Sequence, residues 1–439
     1  MNRLIYNDLL RWKNRPDRKP LILLGARQVG KTYILKEFGR NEFKQMVYVN
    51  CHKNEFAANL FRDFSVARII IELERFYETT ITADDSILIF DEIQEVPDGI
   101  ASLKYFCEDM PQLHVAVAGS LLGISLRENE SYPVGKVNTI RMYPMTFTEY
   151  LEACGRKQLV EMLNSLEWQS INLFADTLTE YLRQYYFVGG MPEAVLSYTT
   201  NADTSTVREI QNEILDAYMR DIAKHTKHKA ERIKQLWNSI PAQLARENKK
   251  FIFGAVKKSA RAADYEDAIQ WLIDAGFIYK VERASTPTMP LKFYCDYSAF
   301  KLFAIDCGLL AAMSEASPKD MLLGSNAFVG FKGAFTENYV IQQYLAATNG
   351  VPYYFSKDNS TMEIDLMCQL RNRVVPIEIK AEVNVKSKSL YNFVNKDFAD
   401  EHLKGLRFSM RPYIDQEWME NIPLYAAESY LRRLKTAEP

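Results

Sequence analysis

Cysteine and histidine are scarce in this 439-residue chain: six Cys and five His, with no CxxC pair and no histidines at ligand spacing to them. That scarcity argues against a disulfide framework or a structural zinc and fits a reducing compartment. Long apolar runs are missing as well. No stretch approaches the roughly 18 residues that a membrane-spanning helix needs, and the opening Met-Asn-Arg-Leu-Ile-Tyr-Asn-Asp has no apolar core of a secretion signal. A soluble, cytoplasmic protein without membrane association is the expectation. Neither charge sign dominates, the formal net charge being −2, so the chain as a whole gives no hint of a polyanionic partner. Internal repeats, low-complexity segments and long linkers are absent too.

What is present is ordinary for a globular protein, with 47% hydrophobic and 25% charged residues. The length implies two to four domains. Between residues 20 and 150, short apolar runs alternate with helical patterns: Leu21–Leu24, Met46–Val49, Ile87–Phe90 and Val115–Ala118. Runs without apolar/polar alternation suit strands of a parallel sheet covered on both faces. Helical patterns fill residues 151–225, broken at Gly189-Gly190-Met191-Pro192. A basic unit over 226–305 ends in a predicted hairpin, Phe277–Glu282 with Leu291–Tyr294. The last region combines a helix at Phe335–Leu345 with strands at Tyr353–Phe355, Glu363–Cys368 and Val374–Ile379. The expected domains are 1–155, 156–225, 226–305 and 306–439.

The sequence Gly25-Ala26-Arg27-Gln28-Val29-Gly30-Lys31-Thr32 matches GxxxxGK[ST]. A strand pattern precedes it, and a helix pattern with Ile34, Leu35 and Phe38 follows, for which Gly39 is the expected stop. The two glycines let the loop curl so that its N–H groups face phosphate oxygens, and the helix N-terminus adds partial positive charge. Lys31 is predicted to reach the β- and γ-phosphates and Thr32 to ligate Mg²⁺, making ATP and Mg²⁺ the expected cofactors. Ile87–Phe90 runs into Asp91-Glu92, two carboxylates at the tip of a buried strand, where they are costly unless they face a cation or a polarised water. Asp91 is predicted to hold the Mg²⁺ and Glu92 to activate the attacking water. Ser120, after the run Val115–Ala118, is a candidate for the γ-phosphate or the lytic water, and equally a turn serine. Arg27, Arg127 and Arg141 are candidate transition-state cations, among which the residues do not choose.

Between Thr226 and Ala262 stand ten Lys/Arg against Glu231 and Glu247, a net of +8. Charge so concentrated favours phosphate backbones. Lys249, Lys250, Lys257, Lys258 and Arg261 are therefore candidate DNA contacts. The helical spacing of Tyr265, Ala268, Ile269, Leu272 and Ile273, closed by Asp274-Ala275-Gly276 and followed by the hairpin, fits a winged helix. A solvated basic face in an interdomain lid is the other reading. Further on, Glu363-Ile364-Asp365 and Glu378-Ile379-Lys380 each place two charged residues on one sheet face. Asp365 and Glu378 could hold a divalent ion beside Lys380, with Glu337 as an accessory acid, as phosphodiester hydrolysis requires. Strand faces also alternate Glu and Lys simply for solubility and cross-strand pairing.

With these residues in place, the chain resembles a large group of bacterial and archaeal AAA-type ATPases that join an N-terminal P-loop domain to a C-terminal domain resembling restriction endonucleases. The resemblance rests on the P-loop, Asp91-Glu92-Ile93-Gln94, Ala118-Gly119-Ser120, and Tyr143-Pro144-Met145-Thr146-Phe147-Thr148-Glu149-Tyr150. It continues through Gly189-Gly190-Met191-Pro192-Glu193, Arg220-Asp221-Ile222, Lys292-Phe293-Tyr294, Asp306-Cys307-Gly308-Leu309-Leu310, Glu363-Ile364-Asp365 and Pro376-Ile377-Glu378-Ile379-Lys380. It implies an α/β architecture: an AAA-like parallel-sheet core, a helical lid, a winged-helix middle domain and a restriction-endonuclease-like C-terminal domain of the PD-(D/E)xK type. Asp365, Glu378 and Lys380 fall on that type's catalytic pattern. The group commonly has Gly-Arg where this chain has Gly135-Lys136, and lysine lacks the planar fork of an arginine. The expected function is Mg²⁺-dependent ATP hydrolysis coupled to a DNA transaction. A nucleotide-switched ATPase acting on a protein partner is the rival, a metal-dependent nuclease the lesser one, and oligomeric state stays open.

Overall fold

The computed structural model describes residues 3–120, 122–128, 133–225, 229–246, 249–358, 360–382 and 386–436. Its described residues divide into two compact units, one of those up to Tyr143 together with Asp274–Phe277, the other of those from Pro144 to Ile273 and from Ile278 onward. No helix of the described residues is long and apolar enough to cross a membrane.

The first unit is built on a sheet with strands β1 (Leu21–Leu24), β2 (Gln45–Asn50), β3 (Ser86–Asp91), β4 (His114–Ala118) and β5 (Asn138–Arg141). Their order is β2-β3-β4-β1-β5, and every pairing is parallel. β3 and β4 are buried along their whole length, which is why their sequences show no alternation. Helices cover the sheet, and Val47, Val49, Leu88, Phe90, Val115 and Val117 form a core with Ile69, Leu73, Leu103 and Phe106. Because β4 lies between β1 and β3, the carboxyl ends of these three strands stand side by side. Ligands of open α/β sheets bind at such ends.

The helix after the P-loop runs Lys31–Glu42 and passes straight through Gly39, which was expected to stop it. A Cβ at Gly39 would come within 2.7 Å of Met46 Sδ and 3.3 Å of Ile87 Cγ2. The glycine is there so that the helix can lie close on the sheet, and that outweighs its cost in helix propensity.

The second unit opens with helices Phe147–Ala153, Lys157–Ser165, Trp168–Leu173, Ala175–Val188, Pro192–Asn201 and Thr204–His225, followed by Ala230–Leu244, Phe253–Val256 and Ala262–Asp274, whose last residue belongs to the first unit. Then comes a mixed sheet of β6 (Ile278–Ala284), β7 (Cys295–Ala304), β8 (Pro352–Ser356), β9 (Glu363–Leu370), β10 (Arg373–Ile379), β11 (Gly405–Ser409), β12 (Ile414–Asp415) and β13 (Met419–Pro423). Its order is β12-β13-β11-β10-β9-β8-β6-β7. Two expectations are corrected here. Leu291–Tyr294 is a short 3₁₀ turn, and the returning hairpin strand begins only at Cys295. The hairpin also belongs to a larger sheet, since β6 pairs in parallel with β8 through Glu282↔Tyr353 and Arg283↔Tyr354. The boundary expected between 305 and 306 therefore falls inside one sheet. Likewise the first unit closes at Tyr143, before the boundary expected at 155.

Two of the sequence motifs turn out to be a buried joint. Asp306 is fully buried. It accepts from Gly190 N at 2.6 Å, Leu309 N at 3.0 Å and Gln342 Nε2 at 3.2 Å. Gly190 O in turn accepts from Met145 N at 2.7 Å, and Tyr185 OH donates to Met145 O at 2.5 Å. Burial pushes the Asp306 carboxyl up, opposed by these donors. Replacing Asp306 with Ala strands three buried donors and should cost on the order of 3 kcal/mol in the denaturant unfolding of this unit. Wild-type stability in that variant would show that the joint is not a structural determinant.

Candidate nucleotide site

The site is assembled from the ends of β1, β3 and β4. Gln28 at φ 65° and Gly30 at φ 96° give the loop between β1 and its helix the left-handed steps that turn successive N–H groups toward one side. Lys31, the first residue of the helix, is 7% exposed. Its Nζ donates to Gly25 O and Ala26 O, both at 2.8 Å. Burial lowers this ammonium to about 8, helped by Arg27 and resisted by Glu92 and Asp91. Among the described residues its hydrogen bonds go to carbonyls of its own loop, an arrangement that suits a site for an anion.

Asp91 ends β3 and is 5% exposed. Its Oδ2 accepts from Thr32 Oγ1 at 2.7 Å and from Tyr48 OH at 2.9 Å. The Thr32 hydroxyl and the Asp91 carboxylate thus meet where the loop's helix begins, the pair of hard oxygens that Mg²⁺ prefers. Burial and the adjacent Asp91 push the Tyr48 phenol well above its ordinary range. Cys51 is pushed up to about 12 by burial, Asp91 and Glu92, so this thiol is an inert wall.

Glu92 takes a left-handed backbone, φ 54°, that swings it toward β4. Its Oε1 accepts from Ser120 Oγ at 2.7 Å, and its Oε2 from Ser120 N at 2.8 Å and Gln94 Nε2 at 2.6 Å. Gln94 Nε2 also donates to Ser120 O at 2.9 Å. Ser120 was expected to face a phosphate or a water; here its hydroxyl is engaged by Glu92. All three predicted centres, the P-loop with Lys31 and Thr32, the pair Asp91-Glu92, and Ser120, are brought together. Tyr48 and Gln94 were given no role by the sequence. Tyr48 stands on β2, half-buried and one strand away from Asp91, and no local motif marks it.

The candidate arginines scatter. Arg141 is exposed at the end of β5, opposite Leu24, Arg27 lies near enough to Lys31 to influence its charge, and the side chain of Arg127 lies outside the described ones. Lys136 pairs with Glu108 at 2.9 Å.

The candidate DNA contacts do not all stay on the surface. Lys250, Lys257, Lys258 and Arg261 are exposed. Lys249 is corrected: its side chain is 12% exposed and its Nζ is bonded to Glu337. Lys229 pairs with Asp267, and Arg232 with Asp264 at 3.8 Å, while Lys227 lies outside the described residues. The acidic partners of Lys229 and Arg232 sit just past the window in which the basic excess was counted.

The C-terminal constellation gathers around a buried lysine. Asp365 Oδ2 accepts from Ile379 N at 2.7 Å. Glu378 is 2% exposed and 3.4 Å from Lys380 Nζ. The fully buried Lys301 is bonded to Glu363 and stands 3.8 Å from Glu337. Among the described residues, no three carboxylate, histidine or cysteine side chains converge as a metal-ligand set.

Residues 17–151 match the AAA domain family. Residues 179–320 match a domain of unknown function (DUF8612), and residues 332–426 another (DUF4143). A comparison with curated proteins finds no match. Among solved structures, the chain is similar to the ORC1 protein of Aeropyrum pernix, solved in complex with DNA, at 15% identity over 71% of this chain and 90% of that one, with a TM-score of 0.27. It is similar to Cdc6p of Pyrobaculum aerophilum at 14% identity, covering 73% and 92%, with a TM-score of 0.25. It is also similar to the RuvB Holliday junction branch migration motor of Thermotoga maritima at 16% identity, covering 62% and 85%, with a TM-score of 0.29. The family match and the residue arrangement agree that the first unit carries an AAA-type P-loop domain.

The state of Lys31 makes nucleotide affinity pH-dependent with a defined sign. Below about 8 the ammonium is charged and attracts a triphosphate; above it, the charge is lost. ATP affinity measured calorimetrically should hold between pH 6.5 and 7.5, then weaken by up to about tenfold per pH unit above 8. An affinity unchanged from pH 7 to 9.5 would rule out this role for Lys31.

Proposed function

We propose that this chain is an ATPase that couples Mg²⁺-dependent hydrolysis to a DNA-associated process. The observation that carries the reading is the meeting of Thr32 with Asp91, with Glu92 presented beside them. In this reading the loop N–H groups and Lys31 bind the β- and γ-phosphates and orient the γ-phosphorus. Thr32 and Asp91 would hold Mg²⁺, which when bound neutralises charge on the phosphate oxygens. Glu92 takes a proton from a water as its oxygen bonds to the γ-phosphorus and the bond to the β–γ bridging oxygen breaks, giving ADP and phosphate. Ser120 and Gln94 position Glu92, and their three hydrogen bonds have to loosen before it can accept that proton. Arg141, at the end of β5 beside the loop, is the cation we favour for the developing charge, in the place of the arginine absent at Lys136.

The DNA part of the reading is supported by the exposed Lys250, Lys257, Lys258 and Arg261 around the short helix Phe253–Val256. It is also supported by the succession of helices Ala230–Leu244, Phe253–Val256 and Ala262–Asp274 before the β6–β7 hairpin, the order of a winged helix. The ion pairs that consume Lys229, Arg232 and Lys249 favour the rival, an ATPase that uses its nucleotide state to engage a protein partner.

Glu92→Gln should bind ATP as tightly as wild type and hydrolyse it at least about a hundredfold more slowly; equal turnover in single-turnover assays would remove Glu92 from this role. If the basic face binds duplex DNA through its four exposed cations, log affinity should fall with log salt at a slope of about −3 to −4. Lys257→Glu/Lys258→Glu should flatten that slope and abolish any stimulation of ATPase turnover by DNA. No binding at 50 mM salt would favour the protein-partner reading.

A further inference from the structure

The charged cluster of the second unit is unusual in being both deeply buried and internally neutralised. Its carboxylates come from the helix Lys332–Thr348 (Glu337), β9 (Glu363, Asp365) and β10 (Glu378). Its ammonium groups come from three other places: Lys249 from the segment before the helix Phe253–Val256, Lys301 from β7, and Lys380 just past β10. Lys301 has no exposed surface. It is bonded to Glu363, lies 3.8 Å from Glu337 Oε2, and sits 4.9 Å over the ring of Tyr354. Lys249 closes the other oxygen of Glu337.

The buried Arg407 guanidinium also acts on Glu378, so four cations stand against the four carboxylates and the cluster is neutral within itself. Glu337 is held below its ordinary value because Lys249 and Lys301 outweigh the effect of burial. Burial alone would lower Lys301, but Glu337, Glu363 and Asp365 keep it raised and charged. Glu337 Oε2 and Glu378 Oε2 are buried and accept no hydrogen bond among the described residues, so acceptor capacity remains beside the lysines.

A divalent ion needs several of these oxygens within about 2.0–2.6 Å of one point, whereas Glu337, Glu363 and Glu378 each have an ammonium partner and Asp365 accepts from the backbone of Ile379. A tethered lysine never dissociates, and expelling Lys301 would leave a buried, unpaired charge. We propose that Lys301 and Lys249 are resident cations filling this carboxylate cluster where a metal-dependent phosphodiesterase would hold its divalent ion, so that the domain retains the frame of such an enzyme without cutting nucleic acid. Lys301 is the fixed cation, and Lys249, partly exposed at the rim, is the removable one.

The test is Mn²⁺ binding to the full chain without nucleotide, followed by electron paramagnetic resonance and compared with Asp365→Asn, so that any ion at the P-loop cancels. Wild type should hold no ion that Asp365→Asn loses, and should not nick plasmid in Mn²⁺. Lys301→Met, and Lys249→Ala to a smaller degree, should gain one Mn²⁺ at least tenfold tighter than wild type, lost again when Glu337→Gln is added. Lys249→Ala, which leaves the core intact, serves if thermal melting shows that Lys301→Met does not fold. An Asp365-dependent ion or plasmid cleavage in wild type overturns the proposal, as does a failure of every folded lysine variant to gain an ion.

Discussion

A carboxylate at the end of a buried strand has few ways to persist, and Asp91 uses two hydroxyls to do so. Thr32 and Tyr48 both donate to the same oxygen, one from the helix that leaves the P-loop, the other from the neighbouring strand β2. Three separate chain segments are thereby tied to a single atom. The strand order does the rest: with β4 inserted between β1 and β3, the residue after Asp91 meets the backbone and hydroxyl of Ser120 rather than solvent. The acid that would serve as base and the acid that would hold the ion are adjacent in sequence. The positive φ of Glu92 points them at different neighbours, and so one dipeptide can serve two tasks.

The second unit solves the same problem with backbone donors. Asp306 is satisfied by two N–H groups and an amide. Glu428, also fully buried, accepts from Thr148 N at 2.9 Å on Oε2 and from Thr148 Oγ1 at 3.0 Å on Oε1, the oxygen that Arg432 also bonds. These joints lie between helices far apart in sequence. A charged group that only one arrangement of the chain can satisfy penalises every other packing of those helices. Several conspicuous motifs, Gly189–Glu193, Asp306–Leu310 and much of Tyr143–Tyr150, belong to this scaffolding and not to a reactive centre.

Legibility in the sequence followed locality. The P-loop, the Asp91-Glu92 pair and the runs that became β1, β3 and β4 were readable because each is specified by neighbours within a few residues. Gly39 was misread since its reason is Met46 on a strand, not the helix it occupies. Tyr48 was invisible for the same kind of reason: its partner is 43 positions away. That Ser120 meets Glu92 was not legible, because strand order decides which neighbour it faces. The basic count around residues 226–262 was sound as arithmetic and misleading as a surface. Asp264 and Asp267 cancel part of it from the next helix, and Lys249 turns inward to Glu337. The hairpin was anticipated, yet its return strand starts at Cys295 and its edge partner is β8, a pairing across some seventy residues that no local pattern announces.

That pairing bears on how the chain could have been inherited. The sequence matches suggest two separate regions, one ending at residue 320 and one beginning at 332. The sheet ignores the division: β6 and β7 come from the first, β8 to β13 from the second. Lys301 belongs to the first region, and all the carboxylates around it belong to the second. Recombination at this junction would hand a descendant either a buried ammonium without acids or acids without their ammonium, along with an open sheet edge. The two regions are therefore bound to travel and diverge as one heritable piece, and substitutions on either side of the cluster should be accepted only when the other side compensates.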